Sequence, residues 1–340
     1  MLPWYDAHAR ALPWRVPDGT ADPYRVWLSE VMLQQTTVAT VRPRFAAWVA
    51  RWPDVASLAA ANESDVMAAW AGLGYYARAR NLLKTARAVT AEHGGAFPQT
   101  EAELRRLPGL GEYTAAAVAA IAFGEAAVVV DANVERVVAR LAEIAAPLPG
   151  ARAAIRAAAA AITPTARAGD FAQAMMDLGA TICTPRAPRC LLCPLRERCR
   201  GYAEGAPERL PVKAAKKARR QRHGTIFWLT RPTAHPAGRE VLLVRRPAKG
   251  LLGGMRALPT GPWIDAPPGL AGAPAPADWR LLDATVRHGF THFDLDLALA
   301  VADAPAHGAA EGEWWPVDEL AAAGLPTLFA KAARAMEGLA

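Results

Sequence analysis

At 340 residues the chain has room for two domains, each with its own buried core. Its 52% hydrophobic and 21% charged residues, with 11 Trp, exclude a disordered or fibrous chain and fit a soluble globular protein. The net charge of +7 permits an acidic partner such as nucleic acid, although much of the excess sits in one short stretch. The N-terminus MLPWYDAHAR lacks an apolar core of the secretory kind. The longest apolar run, TAAAVAAIAFGEAAVVV, is interrupted by Gly124 and Glu125, so no membrane span is expected and the default location is cytoplasmic.

From Asp22 to about Leu210 the texture is helical, with Ala-rich segments divided by breaks at Pro53, Gly72–Gly74, Pro108–Gly111 and Pro147–Gly150. In the first of these segments Glu30, Gln34 and Thr37 share a polar strip, whereas Trp27, Val31 and Val38 fall on apolar faces. A lone acid at such spacing ordinarily belongs to a solvated face. LPGLGEYT (107–114) then sets two glycines and a proline between helices, a turn whose backbone N–H groups can approach an anion or merely close a tight corner. In VVVDANVERVV, Asp131 ends an apolar run and opens a helix. It reads either as an N-cap or as a second carboxylate delivered to the cleft of Glu30.

All four cysteines, Cys183, Cys190, Cys193 and Cys199, lie in CTPRAPRCLLCPLRERC at the spacing C-x6-C-x2-C-x5-C. Four thiols this close suit a metal centre, and one short pair flanked by longer loops suits a [4Fe–4S] cluster better than zinc. Arg186, Arg189, Arg196, Arg198 and Arg200 crowd the same loop, and nothing there suggests an open coordination position, so the centre is expected to be structural. PVKAAKKARRQRH (211–223) follows, with six Lys or Arg and no acid; it reads equally as a solvated linker or a phosphate-contacting tether. Beyond it HGTIFWLT, REVLLVRR and HFDLDLALA read as strands, separated by the Pro/Gly-rich loop GPWIDAPPGLAGAPAPADW. An all-helical domain followed by a smaller α+β domain is therefore expected.

Taken in order, LPWR (12–15), SEVMLQQT (29–36), GLGYYARARNL (72–82), LPGLGEYTAAAV (107–118), DANVERV (131–137), FAQAMMDLGATIC (171–183) and the cysteine loop resemble the helix-hairpin-helix DNA glycosylase superfamily, and within it the adenine glycosylase branch. The likeness implies an endonuclease III-like helical domain over 1–205 that includes the cluster loop 183–199. A basic linker over 206–223 and a MutT-like (Nudix) α+β domain over 224–340 would follow. It implies that Glu30 is the general acid, that Asp131 stabilises the sugar cation, and that Tyr113 stands beside the acid. The endonuclease III branch carries a catalytic lysine where this chain has Tyr113, so a glycosylase without lyase activity is implied.

Arg10, Leu12, Trp14 and Gln173 resemble the residues lining the pocket of the extruded adenine. Gln35, Thr36, Leu73 and Tyr75 resemble those that fill the gap in the duplex and meet the opposing 8-oxoguanine, while Gly109 and Gly111 would grip a phosphate. In the C-terminal domain Phe290-Thr291-His292 stands where the family has Phe-Ser-His, a loop that detects 8-oxoguanine. Arg256-Ala257-Leu258 replaces a usual Trp-Glu-Phe, and no acidic box for Mg²⁺ is present, so binding rather than a second hydrolysis is implied. His288 and His292, read on one strand, would lie roughly 13 Å apart and could not chelate one metal. The implied partner is double-stranded DNA with an A:8-oxoguanine or A:G mispair. The implied cofactor is a [4Fe–4S] cluster with no catalytic metal, and a monomer without membrane contact is expected. The alternatives are a thymine- or uracil-mismatch glycosylase of the same superfamily, a DNA-binding scaffold without catalysis, or a Nudix hydrolase.

Overall fold

The computed structural model describes residues 1–16, 21–214, 218–233, 238–247, 250–305 and 310–337. The chain divides into two compact units, Met1–Glu63 with Ala77–Lys216, and Ser64–Tyr76 with Lys217–Ala340. The helices in chain order are α1 (Leu2–His8), α2 (Pro23–Leu33), α3 (Val38–Arg51), α4 (Val55–Ala59), α5 (Glu63–Ala69), α6 (Ala77–Glu92), α7 (Glu101–Leu104), α8 (Glu112–Phe123), α9 (Ala132–Leu141), α10 (Arg152–Ile162), α11 (Ala168–Thr181), α12 (Arg200–Ala203) and α13 (Thr327–Glu337). Among the described residues none is long and apolar enough to cross a membrane.

In the first unit the helix starts follow local chemistry. Asp22 caps α2 by accepting from Tyr24 N at 2.9 Å, with Pro23 at the first helical position. Asp54 and Ser57 form a capping box on α4. Helix α8 opens at Gly111 and stops at Gly124, whose φ of +75° closes the helix in the left-handed region. Residues 115–120 of α8 are buried on every side, so this alanine-rich helix is the axis of the unit. Helices α2 and α11 pack against it. Two glycines of α11 permit the closest approaches. A Cβ on Gly169 would stand 2.5 Å from Ala120 O, and one on Gly179 would stand 2.6 Å from Asn133 Cβ at the start of α9. Thr85 of α6 donates to Pro108 O, which anchors the α7–α8 turn.

The second unit is a sheet with α13 packed on its core cluster. Its strands are β1 (Arg220–Pro232), β2 (Arg239–Arg245), β3 (Arg256–Ala257), β4 (Arg280–Gly289), β5 (Phe293–Asp303) and β6 (Glu313–Pro316). The order is β3-β2-β1-β5-β4, with β6 also paired to β2. Strands β1 and β5 run parallel from Arg220↔Phe293 to Thr230↔Asp303, and β4 pairs antiparallel with β5.

Three local expectations change. Residues 220–223, read as the end of the basic linker, are strand residues, because their backbone pairs with β5; residues 215–217 of that stretch lie outside the described residues. Ser64–Tyr76, read as part of the helical domain, groups with the C-terminal unit, where the Cβ position of Gly324 is 3.8 Å from Ala68 Cα. His288 and His292 do not share a strand: β4 ends at Gly289, and Phe290 N donates to Phe293 O at 2.9 Å to close a turn between the two.

Candidate active site

Glu30 sits on α2 among Trp27, Leu28, Val31 and Met32, and only 6% of it is exposed. A carboxylate there has lost most of its hydration, which favours the protonated form. Burial pushes its pKa up to about 7, reinforced by the charge of Asp131 and opposed by a hydrogen bond from Tyr113 and the charge of Arg15. Tyr113, in the first turn of α8, donates its hydroxyl to Glu30 Oε2 and also lies 3.7 Å from Met176 Sδ on α11. Burial first, then the neighbouring carboxylates, raise the Tyr113 pKa well above the ordinary value, so it remains a donor throughout the physiological range. Among the described residues Glu30 Oε1 has no hydrogen-bond partner, so Tyr113 engages one carboxyl oxygen only.

Asp131 is the N-cap of α9, as one of its two readings expects. Its Oδ1 accepts from Asn133 N at 2.9 Å and Val134 N at 2.7 Å, and Oδ2 accepts from Asn133 Nδ2 at 2.8 Å. Burial raises its pKa, while these N–H donors and the charge of Arg136 pull it back. Glu30 thus feels the charge of Asp131, and the two sit in different surroundings: Glu30 has one phenolic donor, Asp131 has three N–H donors and a helix N-terminus. That asymmetry favours the acid form of one and the anion of the other.

A second polar group adjoins this pair. Asp177 of α11, fully buried, accepts from Arg10 Nε at 2.6 Å and from Arg15 through both terminal nitrogens at 2.6 and 2.8 Å. Burial would raise its pKa, but the Arg15 hydrogen bonds and charge win and hold it below the usual carboxylate value. Sequence reading missed Arg15 and Asp177 as a pair; their only visible signal was two distant motifs, LPWR and FAQAMMDLG, each carrying one partner. Leu12 and Trp14 are buried, with Trp14 edge-on to Phe45 at 5.3 Å. Gln173 is half-buried on α11, one turn before Met176 and Asp177.

The remaining candidate contacts divide between the units. In the first, Gln35 is exposed with a φ of +59°, and Thr36 is half-buried with its hydroxyl on Gln34 O at 3.2 Å. Gly109 (φ +77°) and Gly111 are exposed in the α7–α8 turn, and a Cβ on Gly109 would stand 2.5 Å from Asn81 Cβ. In the second, Leu73 is buried and Tyr75 is 54% exposed with a φ of +47°. Thr291 and His292 are exposed, whereas Phe290 is half-buried among aromatic rings.

The four cysteines are half-buried along the loop after α11. Burial raises the pKa of Cys190, Cys193 and Cys199, and each is raised further by the charges of other cysteines, which places the four sulfurs within one another's electrostatic reach. Arg140 of α9, almost wholly buried, donates to Cys183 Sγ at 3.3 Å, to Thr184 O at 2.8 Å and to Leu210 O at 3.0 Å. Among the described residues no three His, Cys, Asp or Glu side chains converge closely enough to hold a single metal ion.

Comparison with known proteins agrees with this layout. Residues 28–160 match the profile of the HhH-GPD superfamily base excision DNA repair proteins, and residues 234–335 match a NUDIX domain. The adenine DNA glycosylase of Homo sapiens is 38% identical over 312 residues, covering 77% of this chain and 57% of the relative. The chain thus spans about half the length of the eukaryotic relatives it matches. The adenine DNA glycosylase of Mycolicibacterium smegmatis is 39% identical over 245 residues, covering 71% of this chain and 83% of the relative. Among solved structures, a thermostable thymine-DNA glycosylase is 30% identical with a TM-score of 0.53, covering 60% of this chain and 93% of that one. With a helical HhH-GPD unit and a Nudix-type sheet unit in this order, the chain belongs to the adenine DNA glycosylase family.

Proposed function

We propose that the chain hydrolyses the N-glycosidic bond of adenine mispaired with 8-oxoguanine or guanine in duplex DNA, leaving an abasic site. One observation carries this reading: the buried Glu30 carboxyl, held at Oε2 by Tyr113, has its pKa pushed up to about 7 by burial and feels the charge of the capped Asp131. Adenine leaves readily only after a ring nitrogen takes a proton, and Glu30 is the group to supply it once the base is out of the stack. Departure leaves an oxocarbenium-like sugar, which the Asp131 carboxylate stabilises or briefly traps before water adds. Tyr113 holds a donor, not an amine, against the acid, so no Schiff base forms and the strand is not cut.

Arg10, Leu12, Trp14 and Gln173 form the adenine pocket in this reading, with Arg15 and Asp177 tying the 10–15 segment to α11. Gln35, Thr36, Leu73 and Tyr75 act on the duplex opposite the extruded nucleotide, and Gly109 and Gly111 approach a phosphate. Phe290, Thr291 and His292 read 8-oxoguanine. Cys183, Cys190, Cys193 and Cys199 would hold a [4Fe–4S] cluster, because four thiols in mutual electrostatic reach on one loop match its donor set. When bound, that cluster cross-links the loop. Arg140 fastens the same loop to α9, whose N-cap is Asp131.

The test is single-turnover excision from a duplex with one A:8-oxoguanine pair by the wild type, Glu30→Gln and Asp131→Asn. The wild type is expected to release adenine without nicking the strand, and both variants to bind but barely react. A nick without added base, or full activity in Glu30→Gln, refutes the reading. Iron analysis of the purified chain is expected to give about four irons per chain; zinc instead would refute the cluster.

A further inference from the structure

The 290–292 turn is built on an aromatic stack. Phe290 lies 4.7 Å from His288, 4.9 Å from Phe293 and 5.7 Å from Trp263, ring centre to ring centre. Trp263 comes from the long Pro/Gly-rich loop, and its place is fixed from three sides. The next residue, Ile264, exchanges backbone hydrogen bonds with His223 of β1 at 2.7 and 3.0 Å. Gly224 leaves the space for the indole, since a Cβ there would stand 2.7 Å from Trp263 Cδ1. The Arg246 guanidinium lies 4.7 Å from the indole ring, and Arg222 lies 5.1 Å from the Phe293 ring while donating to Trp263 O at 3.3 Å. Rings held this way by cations and neighbouring aromatics restrict each other's orientation. Thr291 and His292, by contrast, are exposed at the tip.

We propose that Trp263, clamped by Arg222 and Arg246, is a positioning residue for the 290–292 turn and thereby a determinant of specificity for the base opposite the excised adenine. Trp263 touches no DNA in this account; it acts through Phe290, whose ring fixes the direction of the two exposed side chains that follow. The specificity half rests on the proposed function, whereas the positioning half does not.

The experiment therefore has two arms, run on the full chain as wild type, Trp263→Ala, Trp263→Phe and Arg246→Gln. In the first, hydrogen exchange by mass spectrometry reads the peptide spanning 287–295 without DNA. Trp263→Ala is expected to speed exchange in this peptide about tenfold, the size of one lost aromatic contact, with Trp263→Phe near wild type and Arg246→Gln between them. In the second, binding and single-turnover excision are compared on A:8-oxoguanine and A:G duplexes. Trp263→Ala is expected to lose most of the preference for A:8-oxoguanine while keeping its A:G rate, with Trp263→Phe restoring the preference. Unchanged exchange overturns the positioning role. An equal loss on both duplexes, or an unchanged preference, overturns the specificity role. If Trp263→Ala does not fold, the Arg246→Gln results decide in the same way. A wild type that excises adenine from neither duplex refutes the proposed function and with it the specificity role, while the exchange arm still decides positioning.

Discussion

Glu30 and Thr291 are both proposed to face a base, yet the chain holds them in different ways. Glu30 is buried on a helix, tied by a phenol, and set near neutrality by lost hydration. Thr291 stands exposed on a hairpin turn whose order comes from the rings behind it. The first arrangement concentrates free energy in a single ionisable group. The second spreads it over packing contacts, none of which is individually large. Chemistry needs the first and discrimination can use the second, because a proton transfer fails outright without its donor whereas recognition declines by degrees.

Substitutions at the two sites should therefore differ in scale. Glu30→Gln is expected to lower single-turnover excision by about a hundred- to ten-thousand-fold, the usual worth of a positioned acid, with duplex binding retained. Thr291→Ala should cost excision from an A:G duplex nothing measurable and reduce only the preference for A:8-oxoguanine. Comparable rate losses in both would break the contrast.

The same burial implies a stability effect of opposite sign. The folded-state pKa of Glu30, about 7, lies above its ordinary value of 4.5, so the folded state holds this proton more tightly than the unfolded one. The stability it contributes is fully present below about pH 4.5 and is lost as pH rises through about 7. Glu30→Gln, which never ionises, should match the wild type below pH 4.5 and be more stable above pH 7 by about 3 kcal/mol in urea unfolding. Equal pH dependence in the two proteins would contradict the placement of this carboxyl in a water-poor site.

Gly179→Ala probes the frame instead of the charge. Its new methyl would meet Asn133 beside Asp131, and a destabilisation of about 1–3 kcal/mol with slower excision is expected from thermal unfolding and kinetics. Gly205→Ala, with nothing within 4 Å of its Cβ but a φ of +75°, separates strain from crowding: it should lose stability without touching excision. The smallest effect is predicted for Tyr113→Phe. Its hydroxyl lowers the Glu30 pKa, so its loss should move the alkaline limb of the excision rate to higher pH, not lower.

Much of this was legible in the chain. Glu30 and Tyr113 occupy motifs of fixed local spacing, and Asp131 announced itself as a helix cap because apolar residues precede it and a helical period follows. The Arg15–Asp177 bridge was not legible, because its partners are 162 residues apart and no local period reports such a distance. Helix α8 was easy to place but not to orient, since alanine on all faces leaves no polar stripe. The strand start at Arg220 was hidden by its own charge: arginines read as linker until the parallel register with β5 shows them as the first residues of a sheet strand. The motif that suggested Phe290 as a DNA contact gave no sign of the three rings that surround it, since two of them come from neighbouring segments of the sheet and one from the distant Pro/Gly-rich loop.

The most direct test of the account is the pH dependence of single-turnover adenine excision from an A:8-oxoguanine duplex with enzyme in excess. A donor with the Glu30 pKa predicts a rate that declines through a midpoint near pH 7, by about tenfold per pH unit beyond it. A rate that is flat through pH 7, or that has already fallen with a midpoint near 4.5, would contradict it.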